Sequence, residues 1–328
     1  MFFGKSVTNH KMTTRLPNTF VALLALLVVA ALAALGTAQF PTSAHAKPDS
    51  KPADETTPAA PASAQDHLQQ AITRLESYSW VSAKLQLSLN MLDEQLTGVG
   101  YYRQGPALRM RMELKTRLNE RDQPAIFEQV CDGRILLDHR QVLASRSLER
   151  VDVERVCREL QRHGESQFST ECNFPGLGGL PQLLRAIHEA FEFDTVSQTT
   201  STNGVKLLVL QGHWTGKLLQ TLLPKQAVQI AKGRAADLED LPLYAPDQVL
   251  LVLDAESRFP YRVEFQRTAA AGSEAAGPTG VTTLMSLELF DVQLNAPLAE
   301  EIFAYQPAPG LKPVDKTADY LKALEEFE

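Results

Sequence analysis

Long stretches in which apolar and polar residues alternate one by one constrain this sequence more than any other feature. Every second side chain is apolar throughout VSAKLQLSLNM (81–91) and from Leu108 to Leu114 in ALRMRMELKTRL (107–118). Successive side chains of a strand point to opposite faces, so this pattern predicts long antiparallel strands with one buried and one solvated face. Between them, Gly98 and Gly100 leave one face of another strand without side chains at two successive positions, which would let the sheet bend sharply.

The same reading along the chain predicts about eleven strands, six of them before residue 150. Asp132-Gly133 is a hairpin turn signal. Helices are inserted in blocks: one begins at Asp66, one follows Asp152, and two more cover about 183–191 and 217–232. The predicted strands and helices do not alternate along the chain as they do in βαβ units. The pattern therefore predicts an α+β fold, a strongly curved antiparallel half-barrel with helices covering its concave face.

The N-terminal segment is typical of export. In residues 1–46, three cations precede a 16-residue apolar run from Phe20 to Leu35, followed by small residues suited to cleavage. We predict a signal peptide, with an uncleaved anchor as the alternative. A disordered Pro- and Ala-rich linker follows over 47–65, and a single domain over 66–315. Residues 316–328 form a tail with a short amphipathic helical pattern.

Charge narrows the set of partners. The chain has 32 Lys and Arg against 39 Asp and Glu, a formal charge of −7. Its first 46 residues hold three of the cations and no carboxylate, which leaves 29 against 39, or −10, for the rest. An acidic exported body argues against a nucleic-acid binder or a protein held on an anionic lipid surface. We expect contact with a membrane only through an uncleaved anchor.

The chemistry-bearing residues do not form a catalytic pattern. No two of the downstream histidines are spaced as metal ligands, and no nucleophile motif is present. The glycine-rich stretch GLGGLP (176–181) lacks the Lys-Ser/Thr of a phosphate-binding loop and predicts a flexible loop. We expect neither an enzyme nor a metal or cofactor site. The histidines considered are His67, His139, His163, His188 and His213.

The chain has three cysteines, an odd number for an oxidising compartment. Cys157 on a predicted helix and Cys172 in the following coil could close a loop of about 15 residues, a gain of roughly 3 kcal/mol. We predict this disulfide, with Cys131 as a buried thiol. Three free thiols are the alternative.

The apolar face of the first strands has two interpretations. Such a row is ordinarily core. If the helices cover the sheet loosely, however, it lines a cavity in which flexible methionines suit an irregular acyl ligand. The predicted ligand-binding residues are Leu85, Leu87, Leu89, Met91, Leu108, Met110, Met112 and Leu114.

The order of these features resembles the outer-membrane lipoprotein carrier (LolA-like) superfamily, which includes LolB-type receptors and RseB-type regulators. The resemblance rests on the two alternating strands, the segment GVGYYRQGP, the strand ending in VCDGRILL, the inserted helices and the ending LNAPLAEEIFAYQPAPGLKPVD. It implies a half-barrel that holds or senses acyl chains beneath a helical lid. It also implies that Arg103 latches the lid, although two residues separate it from Pro106. The implied lid residues are Arg103, Leu183, Leu184, Ile187, Leu218, Leu219 and Leu222.

Two functions follow as hypotheses. The first is an exported, periplasmic protein that binds a lipid or an acylated lipoprotein, such as a lipoprotein carrier. The second is a regulatory or protein-interaction module of the envelope, with a filled core and an envelope protein as its partner. The volume left inside the half-barrel distinguishes them.

Overall fold

The computed structural model describes residues 62–91, 94–118, 125–142, 144–162, 178–268 and 280–325. The predicted signal segment, most of the predicted linker and residues 269–279 lie outside these residues. The α-helices are α1 (Ala64–Ser77), α2 (Val153–Arg162), α3 (Gly179–Ala190), α4 (Gly216–Leu222), α5 (Ala227–Ala231) and α6 (Thr317–Glu325). Among the described residues, no helix has the length and apolar character needed to cross a membrane.

Twelve strands form one open sheet, which confirms the predicted α+β half-barrel and adds one strand. The strands are β1 (Val81–Met91), β2 (Glu94–Gln104), β3 (Arg109–Leu118), β4 (Ala125–Asp132), β5 (Ile135–Val142), β6 (Ser145–Asp152), β7 (Phe191–Thr200), β8 (Lys206–Trp214), β9 (Gln248–Asp254), β10 (Pro260–Thr268), β11 (Val281–Leu294) and β12 (Val314–Asp315). Their order is β12-β6-β5-β4-β3-β2-β1-β11-β10-β9-β8-β7. Among the described strands, β12 and β6 form the only parallel pair.

Helix α1 begins two residues before the predicted start at Asp66. Ser63 is its N-cap: the Ser63 hydroxyl accepts from the Asp66 N–H at 3.1 Å, and the Asp66 carboxylate accepts from the Ser63 N–H at 2.9 Å. This reciprocal pair is a capping box, so Asp66 is the third residue of the helix and not its cap. The predicted linker over 47–65 therefore runs too far, because Ala64 and Gln65 are already helical.

Other helix boundaries agree with local sequence signals. The Asp152 carboxylate accepts from the Arg155 N–H at 3.0 Å and caps α2. Pro224 lies in the break between α4 and α5, as expected for a residue without an N–H. The predicted loop at 176–181 is wrong from Gly179 onward, because α3 begins there after a left-handed Gly178; residues 176–177 lie outside the described residues.

The C-terminal segment crosses the convex face of the sheet. After β11, the Phe303 ring packs on Trp80 with ring centroids 6.2 Å apart, and Arg111 donates to the Ile302 carbonyl at 3.0 Å. The Tyr305 ring lies 5.9 Å from His139. The chain then pairs β12 with the edge strand β6 and ends in α6, which packs on α2. One edge of the sheet is therefore covered by the protein's own C-terminus.

Candidate functional site

The concave face of the sheet is built by the alternation seen in the sequence. On β1, Val81, Ala83, Leu85, Leu87 and Leu89 are all buried, whereas the intervening side chains face the convex side. Most of these buried side chains pack beneath α1 and α3, in a core that includes Leu68, Ile72, Leu75, Leu184 and Ile187. This part of the concave face is filled by protein side chains.

The concave face carries a second apolar cluster, the apolar patch, which adjoins the first through Phe265 and Leu287. The patch has a buried centre and a half-buried rim, and no residue of any described helix contributes to it. It spans six strands that are neighbours in the sheet, in the order β4-β3-β2-β1-β11-β10. Its centre is Leu87, Leu89, Leu114 and Met285, and its rim is Leu96, Phe127, Phe265 and Leu287.

The predicted ligand-binding residues are divided between these two regions. Leu87, Leu89 and Leu114 lie in the apolar patch. Leu85 and Met110 belong to the core beneath the helices, with Leu108 and Met112 packed against it. The side chain of Met91 lies outside the described residues. The sequence missed five patch residues, because only the register of β2, β4, β10 and β11 against β1 and β3 reveals them. Those are Leu96, Phe127, Phe265, Met285 and Leu287.

Polar side chains border the patch on β4 and β5. Arg140 stands directly opposite the patch residue Phe127 on the neighbouring strand. Its guanidinium makes two bonds to Asp138, at 3.0 and 2.8 Å, and Asp138 also accepts from Gln129 at 3.0 Å. The hydrogen bond to Asp138 raises the pKa of Arg140. Since the cation is already matched by a carboxylate, this border is polar without being a free anion site.

The predicted lid residues on the helices contact the concave core. Leu184, Ile187 and Leu218 are buried in it, and the remaining leucines are half-buried against it. The helices that carry them are α3 and α4. The half-buried set is Leu183, Leu219 and Leu222.

Arg103 does not have the position that the resemblance implies. It stands opposite Ser82 and Arg111, whose side chains face the convex side, and it lies over the Tyr101 ring at 5.1 Å. Because neighbouring residues of a strand face opposite sides, Arg103 points away from α3 and cannot latch it. The latch prediction at this position is wrong.

Tyr102, the neighbour of Arg103, makes the contact to the lid helix. Its ring is fully buried, and its hydroxyl accepts from the Leu180 N–H of α3 at 3.1 Å and donates to the Gln104 side chain at 2.8 Å. Burial raises the pKa of Tyr102, so the hydroxyl stays protonated. Gly179 permits this approach, since a Cβ there would overlap the Tyr102 hydroxyl. The hydroxyl thus ties the first turn of α3 to the centre of the sheet.

We expect Tyr102→Phe to lower the free energy of unfolding by about 1–3 kcal/mol, because the buried Leu180 N–H loses its acceptor. Urea unfolding followed by circular dichroism measures this. The matched control is Tyr101→Phe on the convex face, expected to fall within about 0.5 kcal/mol of wild type. Equal stabilities of the two variants would contradict the role of the hydroxyl.

A strained turn lies beside the Tyr102 contact. Ala107 and Leu108 both adopt left-handed backbone angles, with φ of 56° and 62°, in the hairpin between β2 and β3. They line a cavity of about 260 Å³ together with residues from the end of α1 and the start of α3. Left-handed conformations cost an L-residue roughly 1–2 kcal/mol. The turn is therefore held in place by its surroundings.

Replacing Ala107 with glycine should relieve part of this strain and stabilise the protein by about 0.5–1 kcal/mol, after the greater entropy of glycine in the unfolded chain is subtracted. Thermal and urea unfolding measure the change. Ala304→Gly is the control: Ala304 has φ of −93°, so the same substitution should destabilise there. A destabilised Ala107→Gly variant would show that the turn is not strained.

The cysteines differ in state. Cys157 is disulfide-bonded, and its predicted partner Cys172 lies outside the described residues. Cys131 is a free cysteine, and burial raises the pKa of its thiol to about 11. The thiolate is the reactive form, so Cys131 is expected to be inert in the folded protein.

Iodoacetamide at pH 8 should therefore leave Cys131 unmodified in the folded protein and alkylate it fully in 8 M urea, in amounts read by peptide mass spectrometry. The unfolded sample is its own control for reagent activity. Alkylation at the same rate in both samples would mean that the thiol is accessible.

The histidines are scattered over the fold. Burial lowers the pKa of His67 and of His188, and His139 packs beside Tyr305. Within the described ranges, no three His, Cys, Asp or Glu side chains come together as metal ligands. His163 lies outside those ranges.

Comparisons with known proteins give likenesses in structure alone. No family model matches the sequence, and no curated protein matches it. LprF from Mycobacterium bovis is 10% identical, with a TM-score of 0.34, over 72% of this chain and 94% of its own. A DUF1329 family protein from Desulfovibrio piger is 8% identical, with a TM-score of 0.29, over 74% and 96%. A domain described as an outer membrane lipoprotein-sorting protein, from Vibrio parahaemolyticus, is 11% identical, with a TM-score of 0.30, over 73% and 95%.

Proposed function

We propose that this protein is an exported, non-catalytic lipid- or lipoprotein-binding protein that holds an acyl chain on the apolar patch. The observation that carries the proposal is the patch itself: eight apolar side chains on the concave face, to which no described helix contributes. Its four central side chains are buried and its rim is half-buried, so the patch provides an apolar lining from which water is largely excluded. An acyl chain is a suitable ligand for such a lining, because it is flexible, apolar and uncharged.

The energy of such binding is sufficient for a carrier. Each buried methylene contributes about 0.8 kcal/mol, so a chain of 14–16 carbons could gain on the order of 10 kcal/mol before the costs of binding. α3, which Tyr102 ties to the sheet, packs on the neighbouring core and not on the patch, so release of the chain does not require α3 to move.

A second function is favoured by the filled part of the concave face. Beneath α1 and α3 the space is occupied by protein side chains, as expected for a regulatory module that binds another envelope protein and no lipid. This alternative predicts that the apolar patch is covered by the protein itself.

Native mass spectrometry of the protein, exported in a host and purified without detergent, tests the proposal. A bound mass that matches a fatty acid, a phospholipid or an acylated peptide is the expected result, and it identifies the ligand class. An unliganded mass, together with failure to take up an added fluorescent fatty acid, would overturn the proposal in favour of the protein-interaction module. The same preparation shows whether the N-terminal signal is cleaved.

A further inference from the structure

A tight turn ahead of β9 presents two apolar side chains to solvent. The Ala245 N–H donates to the Pro242 carbonyl at 2.8 Å, which closes the turn with Leu243 and Tyr244 at its tip. Leu243 is 71% exposed and Tyr244 is 44% exposed. A single exposed leucine is ordinary, but here a leucine and a tyrosine are adjacent at the tip of one turn.

The turn is held rigidly from beneath. Arg267 of β10 donates three hydrogen bonds, of 2.5 to 3.3 Å, to carbonyl oxygens within 241–245. The Trp214 indole N–H donates to the Pro246 carbonyl at 2.6 Å. A turn fixed in this way loses little conformational entropy when its tip is buried against another surface. These hydrogen bonds therefore hold the two side chains at the tip in their exposed positions.

The position of the turn relates it to the apolar patch. Arg267 lies two residues after the patch residue Phe265 on β10, and Phe265 stands opposite Met285, a residue of the patch centre. The turn also leads directly into β9, whose first residue Gln248 pairs with Gln266. The turn and one end of the patch thus lie at the same end of the sheet.

The charged side chains near the turn indicate which kind of surface it can contact. A short 3-10 helix, Leu238–Asp240, lies just before the turn; it contains Glu239 and Asp240 and is capped by Asp237. The protein as a whole is acidic. These carboxylates would be repelled by an anionic surface. A surface without net charge does not repel them. Tyrosine and leucine are also suited to the boundary between lipid headgroups and acyl chains.

We propose that the Leu243–Tyr244 turn docks the protein on the surface of a zwitterionic phospholipid bilayer, next to the end of the patch that would receive an acyl chain. Its purpose rests on the proposed function, because docking serves a protein that exchanges lipid with a membrane. The contact is weak and reversible, since two side chains provide less apolar area than a single lipid anchor.

Fluorescence of a tryptophan at the tip tests the contact directly. Leu243→Trp is mixed with phosphatidylcholine vesicles that contain brominated acyl chains, which quench only an inserted indole. Val99→Trp is the matched control, because Val99 is 60% exposed on the convex face. Quenching at 243 without quenching at 99 is expected. No quenching at 243, or equal quenching at both positions, would overturn the proposal. Both variants share the same N-terminal segment, so the difference reports the turn.

Alanine variants separate docking from acyl binding. Burial of one leucine favours transfer by roughly ten- to hundredfold, so Leu243→Ala and Tyr244→Ala should each lower partitioning into phosphatidylcholine vesicles about tenfold, whereas Val99→Ala should not. Uptake of a fluorescent fatty acid dissolved below its micellar concentration should be unchanged in all three. Undiminished vesicle binding by the Leu243→Ala variant would overturn the docking site. Docking without any fatty-acid uptake by wild type would refute the proposed function and leave the docking site standing.

Discussion

Replacing Gly100 with alanine is expected to lower the free energy of unfolding by about 3 kcal/mol or more. Gly100 lies on the concave face of β2, opposite Leu85 on one side and Leu114 on the other. A Cβ at this position would overlap the backbone carbonyl oxygen of Glu113. A side chain can adopt another rotamer to avoid such a clash, but a backbone carbonyl group cannot, so β2 and β3 would have to separate. Urea unfolding of the variant measures the loss.

Gly98→Ala provides the matched control, two residues away on the same face of the same strand. A Cβ there would lie 2.9 Å from Cγ2 of Thr116 and 3.1 Å from a Leu114 methyl group, which are side-chain atoms that can shift. We expect a cost of about 1 kcal/mol. If Gly98→Ala proved the more damaging variant, the close approach of β3 to Gly100 would not be the reason for the glycine.

A charge placed in the apolar patch is expected to abolish acyl binding. In Leu96→Glu, a carboxylate replaces a half-buried rim residue, and an acyl chain seated on the patch would have to desolvate it at a cost of several kcal/mol. The affinity for a fluorescent fatty acid should fall by at least a hundredfold. Because Leu96 is on the rim and not at the centre, the fold should survive, as a circular dichroism melt would verify.

The control for this variant is Val99→Glu on the same strand. Val99 faces the convex side and is largely exposed, so the same side chain there should leave fatty-acid affinity unchanged. A Leu96→Glu variant that is folded and still binds the fatty acid at wild-type affinity would show that the patch is not the site. Equal loss in both variants would point to a general effect of charge.

Alternation predicted most of the sheet because it is a local property. It gave the buried faces of β1 and β3, and Gly98 and Gly100 marked the face of β2 that lacks side chains at two positions. The same parity places Tyr102 on the concave side and Arg103 on the convex side, so the sequence contained the evidence against the latch that the resemblance implied. Residues with an even number within 96–104 face inward together.

Features that depend on distant segments could not be predicted. The patch residues Phe265 and Met285 join Leu89 only through the register of β10 and β11, which no local pattern specifies. The parallel pairing of β12 with β6 joins Val314 to Glu149, and two residues in a strand give no periodic signal. The start of α1 was missed because Ser63 and Asp66 are both N-cap residues by type, and the reciprocal hydrogen bonds decide between them.

The position of β11 in the sheet sets the order in which the protein can be completed. β11 lies between β1 and β10 and is the last long strand in the chain, pairing Val81 with Leu294. The two halves of the sheet, β1–β6 and β7–β10, can each form hairpins early and share a core beneath α1 and α3, but they become one sheet only when β11, which ends at residue 294, pairs with both. Pairing residues as far apart in the sequence as Val81 and Leu294 closes a long loop. Such pairing is slow and leaves partly folded states open to aggregation. The sheet therefore cannot be completed before residue 294 is available, because until then β1 and β10 each have an unpaired edge.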